Sequence, residues 1–353
     1  MENILVSFDA GVAKVSINRP DKKNSLTGHM YKTMDDAFKE ARKREDIKVV
    51  HLCGEGGIFS AGNDITSFAN ANPNTVSDET EVMGFLYEIS SFPKPIVAEV
   101  SGLAVGVGVT CLLHCDFVYA ERETKFSLPF VKLGLCPEAA STLILPRISG
   151  YLKAAEKLLL GDNFDASDAL DMGIVTRIFK AAELSGAVKS TCDKLISLPS
   201  NSLRISKKFL KSEIKEGMKE RMKEEGDMLW KLLNSDEAKE AFANFQSKKI
   251  MLQMGNGDLR FGAPDLRIGM VDVRDVGKAH LNAALNIKSN GRYILSSESV
   301  SFLELGKILS DSFGNVYPFP NSERSVTTSA PAGTFTPKEI LLVALGSPDV
   351  TGS

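Results

Sequence analysis

The sequence predicts an α/β fold, and three features of the chain lead to that expectation. A unit of strand, glycine-rich turn and helix recurs in the first half, around residues 49, 96 and 117. These strands are apolar enough to be covered on both faces, which is typical of sheets that lie between helices. The pattern over residues 181–249 is almost wholly helical. We therefore expect an α/β core followed by a helical region.

The first elements are a β-hairpin and a helix. Residues 4–8 and 12–17 alternate between apolar and polar side chains around a turn at 9–11, as hairpin strands do. A polar loop over 18–27 follows, and apolar positions at helical spacing predict a helix over 29–44. The next expected elements are a strand at 49–53, a helix at 79–91, a strand at 94–100, a glycine-rich turn at 102–108, a helix at 109–115, and strands at 117–120 and 125–127.

Helices at 151–160 and 166–173 and a strand at 175–179 precede the helical region. Within that region, Leu198 with Pro199 and Gly226 predict interruptions, because Pro and Gly disfavour helix interiors. Charges crowd residues 207–225, and we interpret this run as a solvated helix face.

The composition of the chain changes near residue 251, where a glycine-rich junction begins. The tail is rich in Ser, Thr, Pro and Gly and is expected to be loosely ordered. The predicted divisions are a core over 1–195, a helical region over 196–250, a linker over 251–267, a short α/β segment over 268–318 and the tail over 319–353.

The composition excludes several classes of function. Hydrophobic residues make up 43% and charged residues 25% of the 353 residues, as in ordinary soluble globular proteins. A net charge of −3 does not fit a nucleic-acid-binding protein, and no apolar run is long enough to span a membrane. The five cysteines form no disulfide framework and fit a reducing compartment. Cys111, His114 and Cys115 lack a further ligand nearby, so we interpret them as core residues rather than a metal site.

One carboxylate, Glu138, lies in the apolar stretch 126–141, where Lys132 carries the only other formal charge. Two interpretations are open. Pro137 and Glu138 could begin a helix whose dipole favours the carboxylate. Alternatively, apolar surroundings could raise the pKa of Glu138 and make it a general acid or base.

Two glycine-rich turns lie about forty residues apart, at 60–64 and 106–108, and each follows an apolar strand. Glycine permits tight turns that expose backbone N–H groups. Two such groups from separate turns can converge on one oxygen and form an oxyanion hole. The alternative is a pair of ordinary loops. Neither turn matches a dinucleotide-binding or phosphate-loop signature.

Three strings resemble signatures of the crotonase (enoyl-CoA hydratase/isomerase) superfamily: NRPDKKNSL at 18–26, IFSAGNDITSF at 58–68 and PIVAEVSGLAVGVGVTCLLHCDFVYA at 95–120. The resemblance covers about the first 250 residues. It implies a crotonase-like spiral of ββα turns, a helical C-terminal region that builds trimers, and an acyl-CoA thioester as substrate. It also assigns the oxyanion-hole N–H groups to Asn63 and Val107.

Within that superfamily, the acid/base positions determine the reaction. Hydratases carry two glutamates, at positions that here hold Thr110 and Phe130. Peroxisomal-type 3,2-trans-enoyl-CoA isomerases instead carry one Glu in a motif that LGLCPEA, with Glu138, resembles. Ala139 replaces the usual Gly of that motif, which alters local backbone freedom.

This branch implies an isomerase that shifts the double bond of 3-enoyl-CoA to 2-trans-enoyl-CoA in fatty acid β-oxidation. Glu138 would carry a proton from C2 to C4 while the oxyanion hole stabilises the thioester enolate. Coenzyme A is part of the substrate, so no separate cofactor and no metal are expected. Hydration, thioester hydrolysis and non-catalytic acyl-CoA binding stay open as alternatives.

The resemblance also assigns contacts with the substrate and with other copies of the chain. Homotrimers or dimers of trimers are expected, whereas nucleic acid and membranes are not. Lys22 and Lys23 could instead be solvated loop charges, and Asp64 could cap the turn that follows it. The assigned residues are Lys23, Ser25 and Leu26 for the nucleotide end, and Ala61, Gly62, Asn63, Asp64, Ile65, Gly106 and Leu135 for the rest of coenzyme A and the thioester.

Residues 268–318 resemble the C-terminal part of extended short-chain (dihydroflavonol/cinnamoyl-CoA) reductases. The strings that carry this resemblance are GMVDVRDVGKAHLNAAL and NGRYILSSESVSFLELGKIL. An active reductase would need a Tyr-x-x-x-Lys pair, and none of the six tyrosines has a Lys four residues later. We interpret the segment as a fused fragment without catalysis of its own; an appended binding module is the alternative.

The start of the sequence has neither a secretory signal nor an Arg-rich transit peptide, so a soluble intracellular protein is expected. The family resemblance implies the peroxisome. The chain ends in Thr351, Gly352 and Ser353, which is not a peroxisomal targeting tripeptide, so the cytoplasm is the alternative.

Overall fold

The computed structural model describes residues 2–64 and 76–255, with short backbone segments at 263–264, 267–270, 298–301 and 323–324. The chain divides into two compact units, Met1–Ala243 and Asn244–Ser353.

The strands of the first unit are β1 (Ile4–Asp9), β2 (Val12–Ile17), β3 (Val49–Gly54), β4 (Ile96–Val100), β5 (Leu103–Val105), β6 (Phe117–Glu121), β7 (Lys125–Ser127), β8 (Phe164–Asp165) and β9 (Arg177–Phe179). The α-helices are α1 (Gly28–Lys43), α2 (Val76–Ser90), α3 (Val107–Thr110), α4 (Ser141–Ser149), α5 (Tyr151–Ala155), α6 (Ala166–Asp171), α7 (Ala181–Ser197), α8 (Ser200–Leu210), α9 (Lys215–Leu233) and α10 (Asp236–Gly255). Four 3₁₀ helices span Pro20–Lys22, Cys111–His114, Val131–Leu133 and Ser212–Ile214, and a π-helical turn spans Glu156–Leu160.

Six strands form the main sheet, in the order β1-β2-β3-β4-β6-β9. β1 and β2 form the predicted antiparallel hairpin, and the remaining neighbours are parallel. Because side chains alternate along a strand, Val50 and Leu52 enter the main core while Val49 and Val97 enter a second one with residues of α7. The sheet is therefore covered on both faces, as the apolar strands predict.

A second sheet contains β5, β7 and β8. β5 lies inside the stretch predicted as a glycine-rich turn at 102–108, so the expectation of a continuous turn was wrong there. β5 forms because its backbone pairs in parallel with β7 and forms a bridge with Ser60 through Ala104. Such pairing partners are distant in sequence and leave no local pattern. The result is that the two glycine-rich segments run side by side.

Several predicted helix boundaries change in the structure. The predicted helix over 109–115 is α3 followed by a 3₁₀ turn, and the one over 151–160 is α5 followed by a π-helical turn. The break at Leu198 and Pro199 is confirmed between α7 and α8. The break predicted at Gly226 is wrong, because Gly226 lies within α9. A Cβ atom at that position would lie 3.2 Å from Sδ of Met83, so the glycine serves close packing.

The interpretation of residues 207–225 as a wholly solvated helix face is wrong at its two ends. Lys207 is 7% exposed and Glu225 is 6% exposed. Nζ of Lys207 lies 2.7 Å from the carbonyl oxygen of Lys94 and 2.6 Å from Oδ2 of Asp116. A long lysine side chain can cross apolar surface and still reach polar partners, which charge counting along the sequence does not detect.

Beyond the end of α10, the described part of the second unit consists of short strands. Arg267–Met270 pairs antiparallel with Glu298–Ser301, and Ala263–Pro264 pairs parallel with Glu323–Arg324. Most of the predicted linker, reductase-like segment and tail lies outside the described residues, so the predicted domain divisions stay predictions. Helix α10 continues to Gly255, past the predicted end of the helical region. None of the described helices is both long and apolar enough to cross a membrane.

The packing of the two glycine-rich segments can be tested by a matched pair of variants. Gly62 and Gly57 have φ angles of +82° and +71°. A Cβ atom at Gly62 would lie 2.6 Å from the carbonyl oxygen of Val105, whereas nothing lies within 4 Å of one at Gly57. The left-handed backbone alone costs an alanine about 1–2 kcal/mol. We therefore expect Gly62→Ala to lower the free energy of unfolding in urea clearly more than Gly57→Ala; equal losses would contradict the close approach.

Candidate active site

Glu138 lies in a loop between the 3₁₀ turn Val131–Leu133 and helix α4. Its side chain is 4% exposed, and its Oε1 atom has no hydrogen-bond partner among the described residues. Burial, and then the nearby carboxylate of Glu225, raise the pKa of Glu138 to about 8. Since α4 begins at Ser141, the interpretation of Glu138 as a first-turn helix residue is wrong.

The carboxylate at the start of α4 belongs to Glu225 of helix α9. The backbone N–H of Ala140 donates to Oε2 of Glu225 at 2.6 Å, and that of Thr142 donates to Oε1 at 3.0 Å. A carboxylate at this place satisfies N–H groups that have no partner within the helix. The sequence pattern gave no sign of this role, because the two partners are separated by 85 residues.

The residues after Glu138 have an uncommon backbone conformation. Ala139 and Ala140 have φ angles of +61° and +56°, in the left-handed region that usually favours glycine. Nε2 of His114 lies 2.9 Å from the carbonyl oxygen of Ala139. Burial, and then Lys211, lower the pKa of His114 to about 3, so the ring is neutral and donates from Nε2. His114 therefore lies in the core, in line with the interpretation made for Cys111, His114 and Cys115.

The two segments with the proposed oxyanion-hole residues are joined by backbone hydrogen bonds. The N–H of Ser60 donates to the carbonyl oxygen of Leu103 at 3.1 Å, and the N–H of Val105 donates to the carbonyl oxygen of Ser60 at 2.9 Å. Gly106 has a φ angle of +55° and precedes Val107, the first residue of α3. No described carbonyl accepts a hydrogen bond from the N–H of Val107 or Asn63. Within the described part of the chain, both N–H groups thus lack a backbone partner.

Tyr31, which the sequence analysis missed, connects these segments with Glu138. The Tyr31 hydroxyl donates to Oδ1 of Asn63, and the side chain is 1% exposed. Burial, then Glu138 and Cys111, raise the pKa of Tyr31. Tyr31 therefore lies in the electrostatic field of the Glu138 carboxyl while it holds the side chain of Asn63. Its position on the buried face of α1, beside Met30, was the only available signal.

The loop over 18–26 runs along the segment that contains Asn63. Three backbone N–H groups donate to backbone carbonyl oxygens of the facing segment. That of Ala61 donates to the carbonyl oxygen of Lys23 at 2.9 Å, that of Leu26 to Gly62 at 2.8 Å, and that of Asp64 to Leu26 at 2.8 Å. These bonds bring most of the predicted coenzyme A contacts onto one surface.

The charged residues of this surface differ in exposure. Nη1 of Arg19 lies 2.6 Å from Oδ2 of Asp64 and 3.1 Å from the carbonyl oxygen of Ser25. Lys23 is exposed, with a φ angle of +52°. Ile65 lies outside the described residues. Asp64 is thus held by Arg19, and Lys23 projects from the loop.

The two positions that the family resemblance matches to the glutamates of hydratases, Thr110 and Phe130, are buried. The carbonyl oxygen of Phe130 accepts a hydrogen bond from the N–H of Leu135 at 2.9 Å, and both side chains lie in the core. Thr110 is fully buried at the end of α3, and its hydroxyl has no hydrogen-bond partner among the described residues. Glu138 is therefore the carboxyl group available for proton transfer among these three positions. In general, a carboxylate base together with two backbone N–H donors can form and stabilise an enolate.

Comparisons with known proteins identify the family of the chain. The sequence model of the enoyl-CoA hydratase/isomerase family matches residues 7–251. Human enoyl-CoA delta isomerase 2 is 35% identical over 256 residues, which cover 71% of this chain and 65% of that protein. The peroxisomal enoyl-CoA delta isomerase 3 of Mus musculus is 33% identical over 257 residues, with coverage of 72% and 81%.

Solved structures extend the comparison to the fold. The enoyl-CoA hydratase/isomerase of Pseudoalteromonas atlantica T6c is 38% identical, with a TM-score of 0.66 and coverage of 70% of this chain and 98% of that one. OdaA of Pseudomonas aeruginosa is 37% identical, with a TM-score of 0.66 and coverage of 69% and 99%. The predicted crotonase fold is confirmed.

The resemblance of residues 268–318 to a reductase is not borne out, since the family match ends at residue 251. The strings around Asn63 and Val107, which suggested the superfamily, lie inside the matched residues. The chain belongs to the enoyl-CoA hydratase/isomerase family and has its crotonase fold.

Proposed function

We propose that this protein is a Δ3-Δ2-enoyl-CoA isomerase in fatty acid β-oxidation and that Glu138 is its catalytic acid/base. The observation that carries the proposal is the buried carboxyl group of Glu138, whose pKa is raised to about 8 and whose Oε1 atom has no hydrogen-bond partner among the described residues. The isomerases of human and Mus musculus at 35% and 33% identity support the reaction class.

One carboxyl group is sufficient for this reaction. The ionised form of Glu138 removes a proton from C2 of the 3-enoyl thioester, and the electrons spread over a planar dienolate. The protonated form then returns the proton to C4, which leaves the double bond between C2 and C3. General acid/base catalysis of this kind contributes roughly 10²–10⁴-fold.

The charge that develops on the thioester oxygen would be met by the N–H groups of Asn63 and Val107. Each donor in such a hole contributes about 2.7–4 kcal/mol to the stabilisation of the transition state. The link from Tyr31 to the side chain of Asn63 supports this assignment, because it fixes the residue whose N–H is needed. The chain's own residues supply both parts of the chemistry, so the proposal requires no separate cofactor.

Hydration is the less favoured alternative. A hydratase uses a second carboxylate to activate water, and Thr110 and Phe130 cannot do this at neutral pH. The apolar surroundings of Glu138 also disfavour an ordered attacking water. Thioester hydrolysis and non-catalytic acyl-CoA binding are outcomes that the assay below distinguishes.

The loop over 18–26 and the segment over 61–64 are the proposed coenzyme A site. Exposed Lys23 suits the phosphates of the nucleotide end, since a lysine ammonium is a mobile point charge. Ser25 and Leu26 complete the nucleotide end, and Gly106 and Leu135 complete the thioester end. The shared backbone bonds of the two segments support one continuous binding surface.

We also propose assembly into homotrimers or dimers of trimers. Large apolar side chains are exposed on two parts of the first unit, which is unfavourable in a monomer. The peroxisome is the proposed compartment, with the cytoplasm as the alternative. The exposed side chains are Ile148, Tyr151, Leu152, Leu159 and Leu160 around α5, and Ile205, Phe209 and Leu210 on α8.

Substitution of the base tests the reaction directly. We expect Glu138→Gln to lower the turnover of 3-enoyl-CoA by about 10²–10⁴-fold, because the amide cannot carry the proton. Binding of a saturated acyl-CoA, measured by calorimetry, should be retained. Glu220→Gln, on the exposed side of α9, is the control and should behave as wild type.

The product of the wild-type protein separates the alternatives. Formation of 2-trans-enoyl-CoA supports the proposal, whereas 3-hydroxyacyl-CoA from 2-enoyl-CoA, release of free coenzyme A, or binding without turnover would each replace it. Unchanged isomerisation by Glu138→Gln would remove Glu138 from the mechanism.

The pH dependence of the reaction follows from the raised pKa of Glu138. The ionised form is needed to remove the C2 proton, and half of the free protein holds this form at a pH of about 8. We expect kcat/KM to rise with pH and to reach half its maximum near pH 8, because kcat/KM reports groups of the free enzyme. A profile that is already flat above pH 5 would show that the base titrates normally.

The same raised pKa predicts a stability effect with a definite sign. The folded pKa of Glu138 lies above its unfolded value, so the native state loses stability as pH rises from 4.5 to about 8. Glu138→Gln should therefore be more stable than wild type at pH 9, by on the order of a few kcal/mol, and similar at pH 5. Thermal unfolding at both pH values measures this. A gain of equal size at both would point to a cause other than the buried charge.

A further inference from the structure

A single peptide group, between Ala139 and Ala140, is held from both sides. Its carbonyl oxygen accepts a hydrogen bond from Nε2 of His114 at 2.9 Å. Its N–H group donates to Oε2 of Glu225 at 2.6 Å. This peptide group lies one residue beyond Glu138, so its orientation constrains the direction of the chain at Glu138.

The backbone on both sides of this peptide group is strained. Ala139 and Ala140 both adopt left-handed φ angles, which L-residues rarely hold unless other contacts enforce them. Both side chains are buried, Ala139 at 2% and Ala140 at 0% exposure, so the loop cannot relax toward solvent. The two hydrogen bonds oppose relaxation, together with backbone bonds from Ser141 to Glu138 and from Leu143 and Ile144 to Ala140.

His114 anchors the carbonyl side to the candidate oxyanion hole. It ends the 3₁₀ turn that continues directly from α3, and α3 begins with Val107. Its own carbonyl oxygen accepts a hydrogen bond from Nζ of Lys211 at 2.8 Å. One short helical segment, Val107–His114, thus begins with the Val107 N–H and ends with the side chain that holds the loop around Glu138.

Glu225 anchors the N–H side to helix α9. Its Oε1 atom accepts from the N–H of Thr142 at 3.0 Å and from the Thr142 hydroxyl. Nη1 of Arg221, one turn earlier on α9, lies 3.1 Å from the same hydroxyl oxygen. Every oxygen of Glu225 is therefore used on the loop and on the first turn of α4.

We propose that His114 and Glu225 are positioning residues for Glu138: by holding the carbonyl and N–H of one strained peptide group, they fix the Glu138 carboxyl relative to the N–H of Val107. The proposal rests on the proposed role of Glu138 as the acid/base. It goes beyond that role, because neither His114 nor Glu225 touches the substrate in it.

The charge of Glu225 adds a measurable consequence. The titratable groups that face Glu138 are Tyr31 of α1, Cys111 of the 3₁₀ turn, Cys136 of its own loop and Glu225 of α9. Glu225 raises the pKa of Glu138 after burial does. Removal of its charge should therefore move the titration of Glu138 to lower pH.

The surroundings of the two anchors separate geometry from charge. Lys211 and Lys207 face His114, and both lower its pKa, which keeps the ring neutral. Arg221 faces Glu225, whose pKa burial raises. Substitution of His114 by an uncharged residue therefore removes one hydrogen bond to the loop and leaves the charge near Glu138 unchanged. Substitution of Glu225 by an uncharged residue removes hydrogen bonds to the loop and also removes a charge near Glu138.

The test compares Glu225→Gln and His114→Leu with Glu220→Gln as the control on the exposed side of α9. We expect kcat of each positioning variant to fall roughly 10- to 100-fold with KM little changed, because small displacements of a reacting group cost this much. The acidic limb of the rate profile should move to lower pH in Glu225→Gln and stay in place in His114→Leu. The double variant should lose less than the product of the single losses, since both act on one peptide group.

Two measurements do not depend on turnover. Hydrogen exchange of the Ala140 amide should become faster in Glu225→Gln, and the ¹³C carboxyl resonance of Glu138, assigned with Glu138→Gln, should titrate at lower pH. If the wild type lacks isomerase activity but these two shifts occur, the proposed function fails and the hold on the loop stands. The inference would be overturned if, in both positioning variants, the Ala140 amide exchanged and the Glu138 carboxyl group titrated as in wild type while kcat stayed unchanged.

A milder variant covers the case in which Glu225→Gln does not fold. Thr142→Val removes one hydroxyl donor to Glu225 and leaves the charge and the backbone donors in place. We expect it to lower kcat by a smaller factor than His114→Leu and to move the acidic limb less than Glu225→Gln does, because the carboxyl group itself stays in place. A shift of that limb as large as in Glu225→Gln would contradict the separation of geometry from charge.

Discussion

Burial of one unpaired carboxyl group is the constraint on which the candidate site depends. Water normally stabilises a carboxylate, and nothing in the described surroundings of Glu138 replaces that water at Oε1. The neighbouring backbone is strained as well, at Ala139 and Ala140. A folded chain keeps such features only where its surroundings leave no lower-energy arrangement. Here the surrounding structure is the 3₁₀ turn ending at His114 and the helix carrying Glu225.

The two halves of the candidate site are held in different ways. Backbone hydrogen bonds join the segments around Leu26, Gly62 and Val105, so their geometry depends little on side-chain identity except at the glycines and at Tyr31, which holds Asn63. The loop around Glu138 depends instead on two particular side chains. The donor half is therefore tolerant of substitution, while the base half is sensitive to changes far from it in sequence.

This difference also explains how far the sequence could be interpreted. The hairpin, the parallel strands and the break at Pro199 follow from local pattern, and the structure confirms them. Strand β5 and the continuation of α9 through Gly226 depend on contacts with distant segments, with β7 and with Met83, so local pattern misled there.

The candidate site shows the same limit. Glu138 could be singled out because it is a lone charge in an apolar stretch. Tyr31, His114 and Glu225 could not, because each looks like an ordinary helix residue until its partner is known. Their roles arise from tertiary hydrogen bonds with Asn63, Ala139 and Ala140.

The 85-residue separation between Ala140 and the carboxylate that accepts its N–H has a consequence for biosynthesis. Chains fold from the N-terminus as they leave the ribosome, at several residues per second. A nascent chain that has emerged as far as α8 can already assemble the parallel sheet and both glycine-rich turns. The carboxylate of Glu225, which accepts from the first N–H groups of α4, has not yet emerged at that stage. The hydrogen bonds that hold the loop around Glu138 are therefore completed late, when α9 docks.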